Sequence, residues 1–323
     1  MKRENFNLTG TIEFDNYLKE HFSRIYSGEE YEELMESSLL MDEWSRDHCF
    51  VKYVGGMEEW AKDEQAVESP EELSCNWYHG TWQYMRLLNM VAVPRWYRFY
   101  HDALSTEFRR KPDARVMISA CADYGMLHAV HAALVNTKAD PTIIVYDICK
   151  TPLKNSEWYA RKHNFKISCF CDNIITADIE ESSFDVIVTD EFLTVLKDPY
   201  KPLIIEKWKK LIKPDGAIIT TAMIGAPTTP ELRKGYEKRA YRLFEQFGKL
   251  AFPGYRDSEE DKNKLFEKFE KFAGFHTRHM IRDENQIKSL FKGFKYLSVQ
   301  RLTTPGECVN PTDSFQVVAR LEG

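Results

Sequence analysis

The sequence predicts an α/β protein. Its core is a doubly wound, seven-stranded sheet, mostly parallel with an antiparallel C-terminal strand, to which a helical N-terminal extension and a helical insertion after strand five are added. Three observations lead there. From Arg115 onward, short and nearly continuous apolar runs alternate with helical periodicity, as in a parallel sheet covered on both faces. The last two apolar runs, "KYLSVQRL" and "SFQVVARL", are joined only by the polar "TTPGECVNPTD". That linker has no room for a crossover helix, so the two strands should be antiparallel neighbours. Residues 1–112 and 225–282 read as helical and stand outside the alternation.

The elements follow in order. "RVMIS" is a first strand, followed by a helix over 125–136; "TIIVYDI" is a second, followed by the helix "PLKNSEWYARKH", with Pro152 near its start, where proline is tolerated. "FKISCFC" is a third strand and "FDVIVTD" a fourth, followed by the helix "PLIIEKWKKLI". "GAIITTAMI" is the fifth, entered through a tight turn "KPDG" in which Asp215 and Gly216 suit turn geometry. "ENQIKSLFKGF" is a helix ahead of the final two strands. In the N-terminal part, the aromatic run "NWYHGTWQYMRLLNMVAVPRWYRFYHDAL" has helical spacing, and Pro94 should divide it into two helices.

Composition narrows the functions. A formal charge of -6 and a sequence pI near 5.9 provide no global field for nucleic acid, which disfavours it as a partner. The N-terminus lacks the apolar core of a signal peptide, and no apolar stretch approaches a membrane span, so a cytoplasmic chain is expected. Seven cysteines are scattered without a CxxC, which fits a reducing compartment. Cys169 and Cys171 share one face of a strand and read as buried thiols. His276 and His279 in "HTRH" would share a helical face, but no carboxylate stands at ligand spacing, so no metal is expected. His128 and His131 fall on a helix that must pack on the sheet.

Chemistry-bearing residues collect at the predicted strand ends. "VMISACADYGMLHAV", residues 116–130, reads as strand, tight turn of small residues and helix start, with Gly125 as its single glycine. Ala120 and Ala122 are small enough for close backbone approach, although alanine disfavours positive φ. Asp147 ends strand two, roughly twenty residues after the loop, where an acid can accept hydrogen bonds from both hydroxyls of a ribose or stand at the start of the next helix. Asp172 ends strand three, beside Asn173 and Ile174, and an Asx turn is the alternative there. Asp190 and Glu191 end strand four, where they can meet a cation, take a proton or cap a helix.

A parallel sheet closed by an antiparallel hairpin strand, with this loop and these strand-end acids, resembles the class I S-adenosylmethionine-dependent methyltransferases over about 113–222 and 283–321. The loop departs from the family's glycine pattern at Ala120 and Ala122. The resemblance implies S-adenosyl-L-methionine as cofactor, approached by the backbone of Ser119, Ala120, Cys121, Ala122, Tyr124 and Gly125. It implies Asp147 as the ribose ligand with Ile148 bordering the adenosine, and Asp172 at the adenine amino group with Asn173 and Ile174 beside the ring. Asp190 would lie between cofactor and substrate.

The additions to the sheet fall at the cofactor edge. "ELRKGYEKRAYRLFEQF" and "LFEKFEKFAGF" are amphipathic, and with residues 1–112 they can roof the site. The methyltransferase domain would then be 113–323, with its insertion at 225–282. Catalytic candidates on the acceptor side are Glu191, Tyr78 and His79. The expected reaction is in-line methyl transfer to a small-molecule acceptor; an RNA or protein methyltransferase and a non-catalytic binding scaffold are the alternatives. Whether the chain forms a homo-oligomer is left open by the sequence.

Overall fold

The structure is a computed structural model that describes residues 29–46, 75–87, 91, 96–226, 228–231, 234–235, 238, 241, 259–275, 278–302 and 313–321. Helices α1 (Glu29–Ser45), α2 (His79–Leu87) and α3 (Tyr97–Arg110) precede strand β1 (Arg115–Ser119). Then come α4 (Gly125–Thr137), β2 (Thr142–Asp147), α5 (Lys150–Lys162), β3 (Ser168–Cys171) and β4 (Phe184–Thr189). They are followed by α6 (Phe192–Val195), α7 (Tyr200–Leu211), β5 (Ile212–Met223), α8 (Glu259–Phe275), α9 (Glu284–Leu290), β6 (Tyr296–Leu302) and β7 (Ser314–Arg320).

The seven strands form one sheet in the order β3-β2-β1-β4-β5-β7-β6. Strands β1 to β5 pair in parallel, and β7 pairs antiparallel with both β5 and β6, as the short polar linker requires. The apolar runs are continuous because each central strand buries both faces. Val116, Ile118, Val186, Val188 and Ile219 point to one core with Tyr100, Leu104 and Phe108 of α3, Val130 of α4 and Tyr159 of α5. Met117, Ile187 and Ile218 point to the other, with Ile204 and Trp208 of α7 and Ile287 of α9. Helix α3 therefore shares a core with β1, although it precedes Lys111 in the chain.

Strand β5 begins earlier than its sequence predicts. The expected turn over "KPDG" lies inside the strand, as a shift of register against β4 between Phe184 and Val186. Asp215 absorbs the shift at φ 61. Gly216 beside it has no room for a side chain. A Cβ there would stand 2.9 Å from the Lys213 carbonyl oxygen and 3.0 Å from that of Asp185. Gly216→Ala is expected to cost about 1–3 kcal/mol through backbone displacement, read as a lower Tm with an unchanged denaturant slope.

Strand order reverses between β1 and β4, so their carboxyl ends open a crevice of the kind in which α/β sheets bind ligands. Ser119–Gly125, Asp147–Cys149, Asp172 and Asp190–Glu191 all lie along this edge. Among the described residues no helix is long and apolar enough to cross a membrane, and no group of His, Cys, Asp and Glu could hold a metal. His276 lies outside the described residues; His279 follows the end of α8 in non-helical chain, its N–H donating to the Thr194 carbonyl at 2.6 Å.

Candidate cofactor site

The loop after β1 is anchored at its base. Ser119 is buried, and its hydroxyl accepts a hydrogen bond of 2.9 Å from the Trp208 indole. Ala120 then turns the chain at φ 67, its N–H donating to the Tyr146 carbonyl at 2.8 Å. This left-handed conformation costs an L-residue about 1–2 kcal/mol, and glycine adopts it without that cost. Ala120→Gly is accordingly expected to stabilise the protein by up to about 1 kcal/mol, less the extra entropy glycine loses on folding. A rise in Tm with cofactor affinity retained is the readout.

Past the turn, the loop wraps the end of β2. The Asp147 carboxylate accepts from the Cys121 N–H at 2.9 Å and from the Cys149 N–H at 2.7 Å, one bond to each oxygen. The group is only 8% exposed. Burial pushes its pKa up to about 6, against the opposing pull of the nearby His79 imidazole and the two amide donors. His79 Nδ1 lies 3.0 Å from the Ala122 carbonyl oxygen, which places a proton on that nitrogen. Burial alone would depress His79; the Cys149 side chain, the Asp147 carboxylate and the Ala122 carbonyl outweigh it, and the imidazole titrates above its ordinary value.

The second half of the loop is fixed from the N-terminal helices. Asp123 is fully buried and starts α4 by accepting from the Gly125 N–H at 2.7 Å. Its other oxygen accepts from Arg86 Nη1 at 2.6 Å and Gln83 Nε2 at 2.9 Å, both on α2. The Tyr124 ring points away from the mouth, stacked on Tyr159 with ring centroids 4.8 Å apart and the Arg86 guanidinium 5.2 Å from its centre. Only the backbone of Tyr124 can then serve a ligand in the crevice; its N–H already donates to Asn155.

The remaining strand ends differ in character. Ile148 is half-buried beside Asp147. Asp172 is exposed and accepts from the Asn173 N–H at 2.7 Å, while Asn173 forms an Asx turn onto the Ile175 N–H at 3.1 Å. Ile174 is buried in the core with Tyr146, so its side chain is directed away from the crevice surface. Asp190 accepts from Thr221 at 3.0 Å. Glu191, at φ 54, accepts from Thr194 at 3.0 Å and from Ser314 on β7 at 2.9 Å.

A layer of side chains joins the N-terminal helices to α8 above this loop. Tyr78 stacks on Phe272 at 5.6 Å, and Trp82 lies 5.0 Å from Tyr78. Lys268 of α8 reaches Asp42 of α1 at 2.5 Å. The insertion's first amphipathic run, "ELRKGYEKRAYRLFEQF", lies largely outside the described residues. Sequence reasoning assigns Asp123, Arg86 and Gln83 no role. An Asp two residues before a helix-starting Gly is a local capping signal; its pairing with Arg86, 37 positions away, has no local signature.

Residues 122–220 match the family model described as a methyltransferase domain. Solved structures with a similar fold include a SAM-dependent methyltransferase from Methanosarcina mazei, at 18% identity and TM-score 0.42, over 66% of this chain and 94% of that one. The N-methyltransferase NodS from Bradyrhizobium japonicum, solved with S-adenosyl-L-homocysteine, shows 15% identity and TM-score 0.43 over 77% and 100% of the two chains. A putative O-methyltransferase from Nostoc punctiforme shows 12% identity and TM-score 0.45 over 89% and 71%. No curated protein matches. The match marks residues 122–220 as a methyltransferase domain, and S-adenosylmethionine is the cofactor that such a domain implies. The site suits that group chemically: each Asp147 oxygen accepts one bond and keeps acceptor capacity for a hydroxyl.

Proposed function

We propose that this protein transfers a methyl group to a small-molecule acceptor held between the strand ends and the helices above them. The observation that carries this reading is the cover itself: Tyr78, Trp82 and Phe272 pack together while His79, on the same helix as Trp82, touches the cofactor loop. Aromatic rings packed beside the loop would help exclude water from a ligand held there, which suits a compact substrate better than a polymer.

Bound in the crevice, S-adenosylmethionine supplies an electrophilic sulfonium methyl. Asp147 would hold its ribose hydroxyls, and the backbone from Ser119 to Gly125 its methionine part. Ile148, Asp172, Asn173 and the backbone at Ile174 would border the base, with Asp190 towards the acceptor. Glu191 is the best-placed acceptor-side base, because Thr194 and Ser314 fix its orientation. His79, fastened to Ala122 and close to Asp147, acts here as a positioning residue, and Tyr78 as a wall of the acceptor pocket. The chain's free thiols suit a reducing cytoplasm.

Calorimetric titration with S-adenosylmethionine, S-adenosylhomocysteine and NAD tests the cofactor side, and methyl transfer from labelled cofactor to a metabolite pool or to RNA tests the acceptor side. Label in the small-molecule fraction alone is the expected result. Transfer to RNA would reassign the acceptor, and binding without turnover on any pool would favour a scaffold.

A further inference from the structure

We propose that Cys149 and Cys75 are a redox-active thiol pair that a peroxide converts to a disulfide, fastening the N-terminal helices to the end of β2. The two sulfurs lie 3.4 Å apart, and Cys75 also sits 3.3 Å from the Thr151 hydroxyl. Both cysteines are free and buried, Cys75 at 0% exposure and Cys149 at 2%. Cys169 and Cys171 have separate partners, facing the carbonyls of Leu153 and Ile148.

The surroundings distinguish the roles of the two sulfurs. Cys149 is the N-cap of α5, a position that favours a thiolate, and it hydrogen-bonds His79. Cys75 lies just ahead of α2 and is placed to resolve an oxidised partner. In the closed arrangement the hydrogen bond that Cys149 donates to Cys75 and burial together hold the Cys149 thiol well above its ordinary value, with His79 pulling the other way. Attack on peroxide is therefore confined to moments when the helices lift. Those moments must occur if a cofactor is to reach the buried Asp147, and this link to the cofactor rests on the function proposed above.

The chemistry balances in two steps. The Cys149 sulfur attacks hydrogen peroxide, the O–O bond breaks, and a sulfenic acid and one water result. The Cys75 sulfur then displaces the second oxygen as water and the S–S bond forms. Two thiols give up two electrons and two protons to one peroxide. The product ties residue 75 to residue 149 across the entrance to Asp147, so the oxidised protein should exchange its cofactor slowly.

The test treats the reduced full-length chain with hydrogen peroxide, blocks the remaining thiols and maps the peptides without reduction. The expected product is a Cys75–Cys149 peptide, lighter by two hydrogens and restored by dithiothreitol. In Cys75→Ser, a dimedone adduct should accumulate on Cys149. Linkage through other cysteines, or none while others oxidise, would overturn the pairing, and the unaltered chain gives that answer even if a variant fails to fold. Dissociation of S-adenosylhomocysteine should slow at least tenfold on oxidation, and an equal rate overturns the coupling to exchange. A reduced chain that binds no S-adenosylhomocysteine refutes the cofactor site instead, and the peptide map still decides whether the two thiols pair.

Discussion

Asp147→Ala is expected to weaken binding of S-adenosylhomocysteine at least tenfold while the protein stays folded. A hydrogen bond to a charged group contributes about 1.5–3 kcal/mol, and the variant removes the acceptor proposed for two ribose hydroxyls. It also strips the Cys121 and Cys149 N–H groups of their shared acceptor, which loosens the loop in the same stroke. Against that loss stands the relief of a buried carboxylate whose pKa is pushed up to about 6. A carboxyl whose pKa rises on folding holds its proton more tightly in the native chain. Its contribution to stability is complete below its ordinary value near 3.8 and is lost as pH rises through about 6. Cofactor binding needs the opposite, ionised form, so affinity should fall as pH drops through about 6, approaching tenfold per pH unit below it. In Asp147→Ala that pH dependence should vanish. In His79→Gln its midpoint should move above 6, because the imidazole beside the carboxylate favours ionisation. An affinity unchanged by Asp147→Ala would move the ribose site elsewhere along the sheet edge.

The parts of the fold that were legible in the sequence are those written in periodicity. Doubly buried strands such as "FDVIVTD" and the crossover-free link before "SFQVVARL" state the sheet and its antiparallel end directly, because only one pairing buries those faces. Ala120 was legible as a small residue, and its φ of 67 shows an alanine holding the conformation that glycine holds without strain. Three features were not legible. The register shift at Asp215 depends on how β5 meets β4, and the inward turn of Tyr124 depends on Tyr159. The fixing of the cofactor loop by Arg86 is the third, and like the contact of Cys75 with Cys149 it joins distant positions through three-dimensional packing alone.

A chain that begins at Lys111 is expected not to fold. The boundary suggested by composition, at residue 112, leaves the sheet's strands complete but removes α3. Tyr100, Leu104 and Phe108 on that helix are fully buried against the same core as Val116 and Val130. Large apolar residues lost from a core cost about 3–5 kcal/mol each, and whole domains are stable by only about 5–15 kcal/mol. Losing three such anchors, with the Tyr100 hydroxyl's bond to the Thr189 carbonyl, exceeds what the rest can supply. A chain that begins at Val91 separates the contributions. It keeps α3 and deletes α2, leaving Asp123 buried without Arg86 or Gln83 and Phe272 without Tyr78. Breaking one buried ion pair costs about 3–5 kcal/mol, so this chain should fold with a much reduced Tm and lose turnover. Circular dichroism melts and cofactor titration of both chains provide the comparison. If the chain from Lys111 melts cooperatively at the full-length temperature and methylates its acceptor at the full rate, the N-terminal third is neither part of the core nor part of the site.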